Sequence, residues 1–182
     1  MRRLTVVLGA VLTGVVLLAG PASAASVHLK GGANAEPGFR DGGLDLTASG
    51  ELAGLGNGDV VVTMTATADV TSTCTNQGGN AAPGQNPAPL TVIGSVTIPA
   101  SEIKNGTTPF SVTTVAPPAV IAGAPDCANA NWTETIDDLA FTSATIVVEQ
   151  PAGVTVLTVS CTIDPPSSDG SVPRTAVTCT QS

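Results

Sequence analysis

The chain has 182 residues with 14 acidic and 6 basic side chains, and a formal net charge of −8 excludes the runs of cations that nucleic acid or an anionic membrane would require. Charged residues make up only 11% while Val, Ile, Leu and Ala are plentiful, the opposite of a disordered composition. With no Tyr, one Trp and three Phe, a core must be built from aliphatic side chains and Thr methyl groups, and the Thr and Val content points to strands.

Arg2 and Arg3 precede an apolar run, residues 4–18, followed by Ala-Gly-Pro-Ala-Ser-Ala-Ala at 19–25. A basic start, an apolar segment and a small-residue site form an export signal, with cleavage expected after Ala24. The run is shorter than the roughly 20 residues a spanning helix needs. The flanks of the Arg pair lack the surroundings of a twin-arginine signal, so the general secretory route is expected. No Cys stands at the cleavage site to take a lipid, and Thr180-Gln181-Ser182 carries no hydrophobic tail. The expectation is a secreted protein with no membrane anchor after processing: residues 1–24 a signal peptide and residues 25–182 one domain. That domain holds Lys30, Arg40, Lys104 and Arg174 against all 14 acids, a net charge of −10.

Apolar residues alternate through most of this domain, in runs bounded by Gly, Pro, Asn and Asp. A short strand is expected at 27–30, then a glycine-rich loop to Gly43. Leu44, Leu46, Ala48 and Leu52 share one parity; Val60, Val62, Met64, Ala66, Ala68 and Val70 share another, with Thr63, Thr65, Thr67 and Thr71 opposite. Gly-Leu-Gly-Asn-Gly-Asp at 54–59 supplies positive-φ residues between them and predicts a hairpin. Cys74 continues the inward parity, residues 75–89 read as a polar loop, and strands resume over Leu90–Ile98 and Phe110–Thr114. Residues 117–130, with Pro117, Pro118 and Pro125, read as loop, followed by strands at 132–136, 141–149 and 154–163. The fold predicted is an all-β, immunoglobulin-like sandwich of about 7 to 9 antiparallel strands.

Four cysteines in an exported chain imply two disulfides. Leu157, Val159, Cys161 and Ile163 share a face, as do Val177 and Cys179 across a turn at 168–170. Placing Cys161 opposite Cys179 sets Ile163 opposite Val177, so the register agrees with itself and leaves Cys74 to pair with Cys127. Each bridge is worth roughly 3 to 4 kcal/mol through the unfolded chain. The Cys74–Cys127 bridge would join two polar loops into one surface, making Asn76, Gln77, Asn80, Gln85, Asn86, Asp126, Asn129 and Trp132 the candidate binding residues.

Catalytic chemistry finds little support. The domain's one histidine, His28, lies beside the processed terminus without a Ser or Cys partner nearby in sequence. Ser101-Glu102-Ile103-Lys104 matches the Ser-x-x-Lys pair of penicillin-recognising enzymes, but the companion Lys-Thr-Gly and Ser-Asp-Asn motifs are missing. It reads instead as a turn capped by Ser101. Asp137-Asp138, read as a solvated turn, and the 164–169 loop lack the ligand spacing of a calcium loop, and the cysteine spacings do not make a zinc site. No metal and no cofactor is expected. One Trp offers little platform for carbohydrate, so binding there would be mainly polar.

Gly-Leu-Gly-Asn-Gly-Asp (54–59), Cys-Thr-Asn-Gln-Gly-Gly-Asn (74–80), Pro-Gly-Gln-Asn-Pro (83–87) and Ile-Pro-Ala-Ser-Glu-Ile-Lys-Asn-Gly (98–106) resemble a family of small secreted all-β proteins of actinobacteria, over residues 44–148. That resemblance implies an exported context and assigns no site. In composition and class the chain is also similar to the apoproteins of enediyne chromoproteins, whose cysteines bridge shorter loops. The function expected is a non-enzymatic binding or structural module of the extracellular space or cell envelope, its partner an extracellular ligand, a cell-wall polymer or a protein. The alternatives are a small-molecule carrier and a secreted protease inhibitor.

Overall fold

The computed structural model describes residues 26–182, so the export signal lies outside the described residues. Alternation of buried and more exposed residues marks most of the longer strands. The strands are β1 (His28–Leu29), β2 (Gly38–Asp41), β3 (Leu46–Ala53), β4 (Val60–Thr75), β5 (Ala81–Pro83), β6 (Leu90–Ile98), β7 (Thr107–Thr113), β8 (Val120–Ile121), β9 (Thr133–Glu149), β10 (Thr155–Ile163), β11 (Gly170–Ser171) and β12 (Val177–Gln181). Eight of them have four residues or more, and all pairings are antiparallel.

Two sheets result. In the first, β3 pairs with β7 along one edge and with β2 and β1 end to end along the other, and β11 adds to β2. In the second, β4 and β9 pair along almost their whole lengths. The free edge of β4 takes β6 and then β5; that of β9 takes β10 and then β8; β12 closes on β10. Leu46, Ala48, Leu52 and Val112 of one layer and Val60, Val62, Met64, Phe141, Ile146 and Val159 of the other are essentially fully buried and belong to one core. Burying a side chain of this size contributes about 1.5–3 kcal/mol. The result is the expected two-sheet sandwich with both expected bridges, Cys74–Cys127 and Cys161–Cys179. Cys161 stands opposite Cys179 and Ile163 opposite Val177, as the parity requires.

Several local expectations are corrected. The glycine loop at 54–59 makes no hairpin, because β3 and β4 belong to different sheets. The two apolar faces meet across the core instead of side by side, and buried Leu55, whose N–H donates to Gly106 O at 3.0 Å, tacks the crossing loop down. The expected loops at 31–43, 75–89 and 117–130 contain β2, β5 and β8, two to four residues each. The segment 168–170 is not a simple turn either, since β11 crosses to the other sheet to pair with β2. Ser101 does not cap its 3-10 turn; Asp59 Oδ1 accepts from Ala100 N at 2.8 Å.

The strands expected at 132–136 and 141–149 are one strand, β9, running straight through Asp137-Asp138. Two β-bulges hid this, since β9 carries an extra residue opposite Thr71/Ser72 and again opposite Thr67/Ala68. The first extra residue is Asp137, whose Oδ2 accepts from Thr73 Oγ1 at 2.6 Å; the second is Thr142, whose hydroxyl donates to Thr67 O at 3.2 Å. Buried positions therefore switch from Ile136 to Leu139 and Phe141, then back to Ala144, Ile146 and Val148. Where β6 passes the end of β7, Gly94 leaves no room for a side chain, because a Cβ there would overlap the Thr113 carbonyl.

A buried carboxyl ties the layers together. Asp41, 2% exposed, accepts from Gly43 N at 2.8 Å and from the Ser167 hydroxyl, and Ser167 Oγ accepts from Phe141 N at 2.8 Å. Burial pushes the Asp41 carboxyl above its ordinary 3.8; the bonds from Ser167 and Gly43 pull it back, while Asp138 and Asp169 push it further up. The folded state thus holds this proton more tightly than the unfolded chain. Its contribution is fully present below the unfolded value and is lost as pH rises through the folded one. Asp41→Asn removes the titration. The melting temperature of that variant, relative to wild type, should rise as pH is taken from below 3.8 to neutrality. A difference that stays flat or falls over the same interval contradicts this account.

Candidate functional site

β4 and β9 outrun the strands that face them. Beyond Val70 and Leu139 the two strands continue as a ribbon, Ser72 opposite Ile136 and Cys74 opposite Glu134. Its edges are covered only by the short β5 and β8. The loops from 76 to 89 and from 115 to 132 fold over this end, and three contacts fix them to it and to each other. The Cys74–Cys127 bridge joins strand to loop with Cα atoms 5.6 Å apart. Gln85 N donates to Asp126 O at 2.9 Å, linking one loop to the other. Ile136 N donates to Ala119 O at 2.8 Å, extending the β8 pairing.

A further anchor beneath the loops is Glu134, with no exposed surface. Its Oε1 accepts from the Ser72 hydroxyl at 2.8 Å and its Oε2 from Asp126 N at 3.2 Å. Both carboxyl oxygens are engaged, which offsets the cost of burying them. Gly84 closes over the pair: its N–H donates to Ser72 O at 2.8 Å, and a Cβ there would overlap the Ser72 hydroxyl.

Between the loops lies a groove of about 440 Å³. Its floor is Val70 and Ile136 of the ribbon. One wall is Pro87, Ala88, Pro89 and Leu90; the other runs from Pro117 and Pro118 through Val120, Ile121 and Ala122 to Pro125 and Asp126. Asp126 is the only charged side chain among them. Val120 is 57% exposed, an apolar residue held open to solvent. Five of the chain's 14 prolines line the groove, and their fixed φ gives the walls little freedom to collapse.

The residues predicted from sequence gather at this same end in two groups. Asn76, Gln77, Asn129 and Trp132, with Gly78 and Asn131, line a second cleft of about 300 Å³. Asp126 lines the groove, while Gln85, Asn80 and Asn86 line neither. Several of these polar side chains build turns. Asn76 Oδ1 accepts from Gly78 N and Asn80 N, both at 2.9 Å, Asn129 Oδ1 accepts from Asn131 N at 3.0 Å, and Asn86 takes a positive φ of 55° just before Pro87. The apolar lining and Glu134 were missed. The available signal is the clustering of prolines in the two loops, five of which line the groove.

Elsewhere the Ser-x-x-Lys segment makes no dyad, because Lys104 Nζ donates to the Ser101 backbone carbonyl at 2.8 Å. His28, in β1 of the first sheet, has its Nδ1 2.7 Å from Ser26 O, two residues earlier in the chain. Among the described residues no group of three or more His, Cys, Asp or Glu is arranged to hold a metal ion. The two disulfides place the chain in an oxidising environment, and no helix among the described residues is long and apolar enough to cross a membrane. No family model, curated protein or solved structure matches the chain.

If Glu134 pins the loop to the ribbon, Glu134→Ala should lower the unfolding free energy by about 2–4 kcal/mol in urea, with Glu134→Gln retaining part of it. A loss below about 0.5 kcal/mol, the range of an ordinary surface change, would remove Glu134 from this role.

Proposed function

We propose that the chain is a secreted, non-enzymatic binding protein whose site is the proline-walled groove and whose ligand is a small, mainly apolar molecule. The observation that carries this is the groove itself. Its volume of about 440 Å³ falls within the range of roughly 300–1,000 Å³ common for small-molecule sites, and its lining is apolar with one polar group for orientation. A soluble protein ordinarily hides such residues. Here the disulfide, the Glu134 bonds, the backbone bonds between loops and ribbon, and five prolines keep them apart, so binding requires little reorganisation of the walls.

This favours the carrier reading over a purely structural module. The neighbouring cleft of Asn76, Gln77, Asn129 and Trp132 is smaller, and its Asn76 and Asn129 carbonyl oxygens are already engaged in turns. Export supplies the setting: an apolar ligand released outside the cell gains a protected path through water. The two bridges and the apolar run at 4–18 support that setting.

The groove can be tested with an uncharged probe, 2-naphthylmethanol, followed by methyl chemical shifts. Saturable shifts are expected at Val70, Leu90, Val120, Ile121 and Ile136, and Ala122→Trp, which fills the mouth from an exposed position, should weaken binding by about tenfold or more. Shifts confined to other residues, or none up to the solubility limit of the probe, would sink the proposal.

A further inference from the structure

Resting on the groove as the binding site, we infer that its preferred ligand is an apolar organic cation: a hydrophobic body in the groove with an ammonium or similar group at Asp126. The charge pattern around the groove carries this. Asp126 is the one charged residue in the lining. Its backbone N–H and C=O are committed to Glu134 and Gln85, which fixes the residue's place at the wall. Its carboxylate makes no hydrogen bond or ion pair among the described residues, leaving it available to a ligand.

No cation of the protein competes for that position. Among the described residues Lys30 pairs with Glu51 at 2.6 Å, Arg40 lies in β2, Lys104 in the turn before β7 and Arg174 in the 3-10 turn before β12. None lines the groove. One further carboxyl group, Glu134, sits on the ribbon beneath that wall, bonded to the Asp126 amide. The groove is an apolar surface with an unpaired acidic side chain on its wall, which attracts a cation and repels an anion. The lining contains no aromatic ring, so a cation there is met by Asp126 and not by a π face.

Three probes with one ring system separate body from charge: 2-naphthylmethylammonium, 2-naphthylmethanol and 2-naphthoate, titrated calorimetrically at neutral pH and low salt. The expected order is cation, alcohol, carboxylate, with the cation bound several-fold to about tenfold tighter than the alcohol. Asp126→Asn should bring cation and alcohol to equal affinity, whereas Asp164→Asn, a charge change of the same size away from the groove, should leave the preference intact. Equal binding of cation and alcohol to the wild type overturns the charge inference while the groove stands. A preference that survives Asp126→Asn, or falls equally with Asp164→Asn, assigns it to the overall charge and also overturns the inference. Failure of all three to bind removes the groove and the inference together.

Discussion

Everything at the groove end of this molecule depends on one pairing, β4 with β9. Strands of 16 and 17 residues are far longer than the typical strand of about 5–6, and at about 3.3 Å per residue they run roughly 50 Å. The layer that faces them is built around strands of 8 and 7 residues. One part of the ribbon is therefore the floor of a sandwich, while the rest projects past it with an apolar face and no opposing sheet. Loops, two short strands and a disulfide cover the projection, and the groove lies between the pieces of that cover. A shorter β4 would leave a compact sandwich with no such site.

The two bulges let a ribbon this long serve both purposes. Each adds a residue to β9 only, so β4 keeps its parity while β9 changes face twice, and each sharpens the local twist. Between the bulges Leu139 and Phe141 point into the core, and Leu139 N donates to Gly43 O at 2.9 Å in the other sheet's loop. Past the outer bulge Ile136 and Glu134 face the covering loops. The extra side chains, Asp137 and Thr142, bond back to β4, so each irregularity is itself held in place.

Features with a local period of two were legible in the sequence. The alternation in β4 and the matching of Ile163 with Val177 about a cystine follow from side chains only a few residues apart, and the second bridge follows once the first is set. The glycines at 54–59 announce a reversal but carry no information about which sheet receives the next strand. Asp137-Asp138 looks like a turn because bulges erase alternation, the signal by which strands are recognised. β5 and β8 are too short to show a period at all. The groove was illegible for a further reason: its floor and walls come from four separated stretches, around residues 70, 87–90, 117–126 and 136. The bridge gathers the two polar loops at this end of the molecule, but the polar residues there mostly shape turns while the opening is apolar.

The central claim is that the projecting ribbon is part of the same rigid body as the sandwich, so that the groove is preformed. Native-state amide hydrogen exchange measures this directly, comparing hydrogen-bonded amides of residues 71–75 and 133–136 with those of 62–68 and 144–148. The account predicts that both halves open only with global unfolding, with the same opening free energy. Exchange of the projecting half through a separate, much lower-energy opening would contradict it, because a groove on a fraying ribbon is not a preformed site.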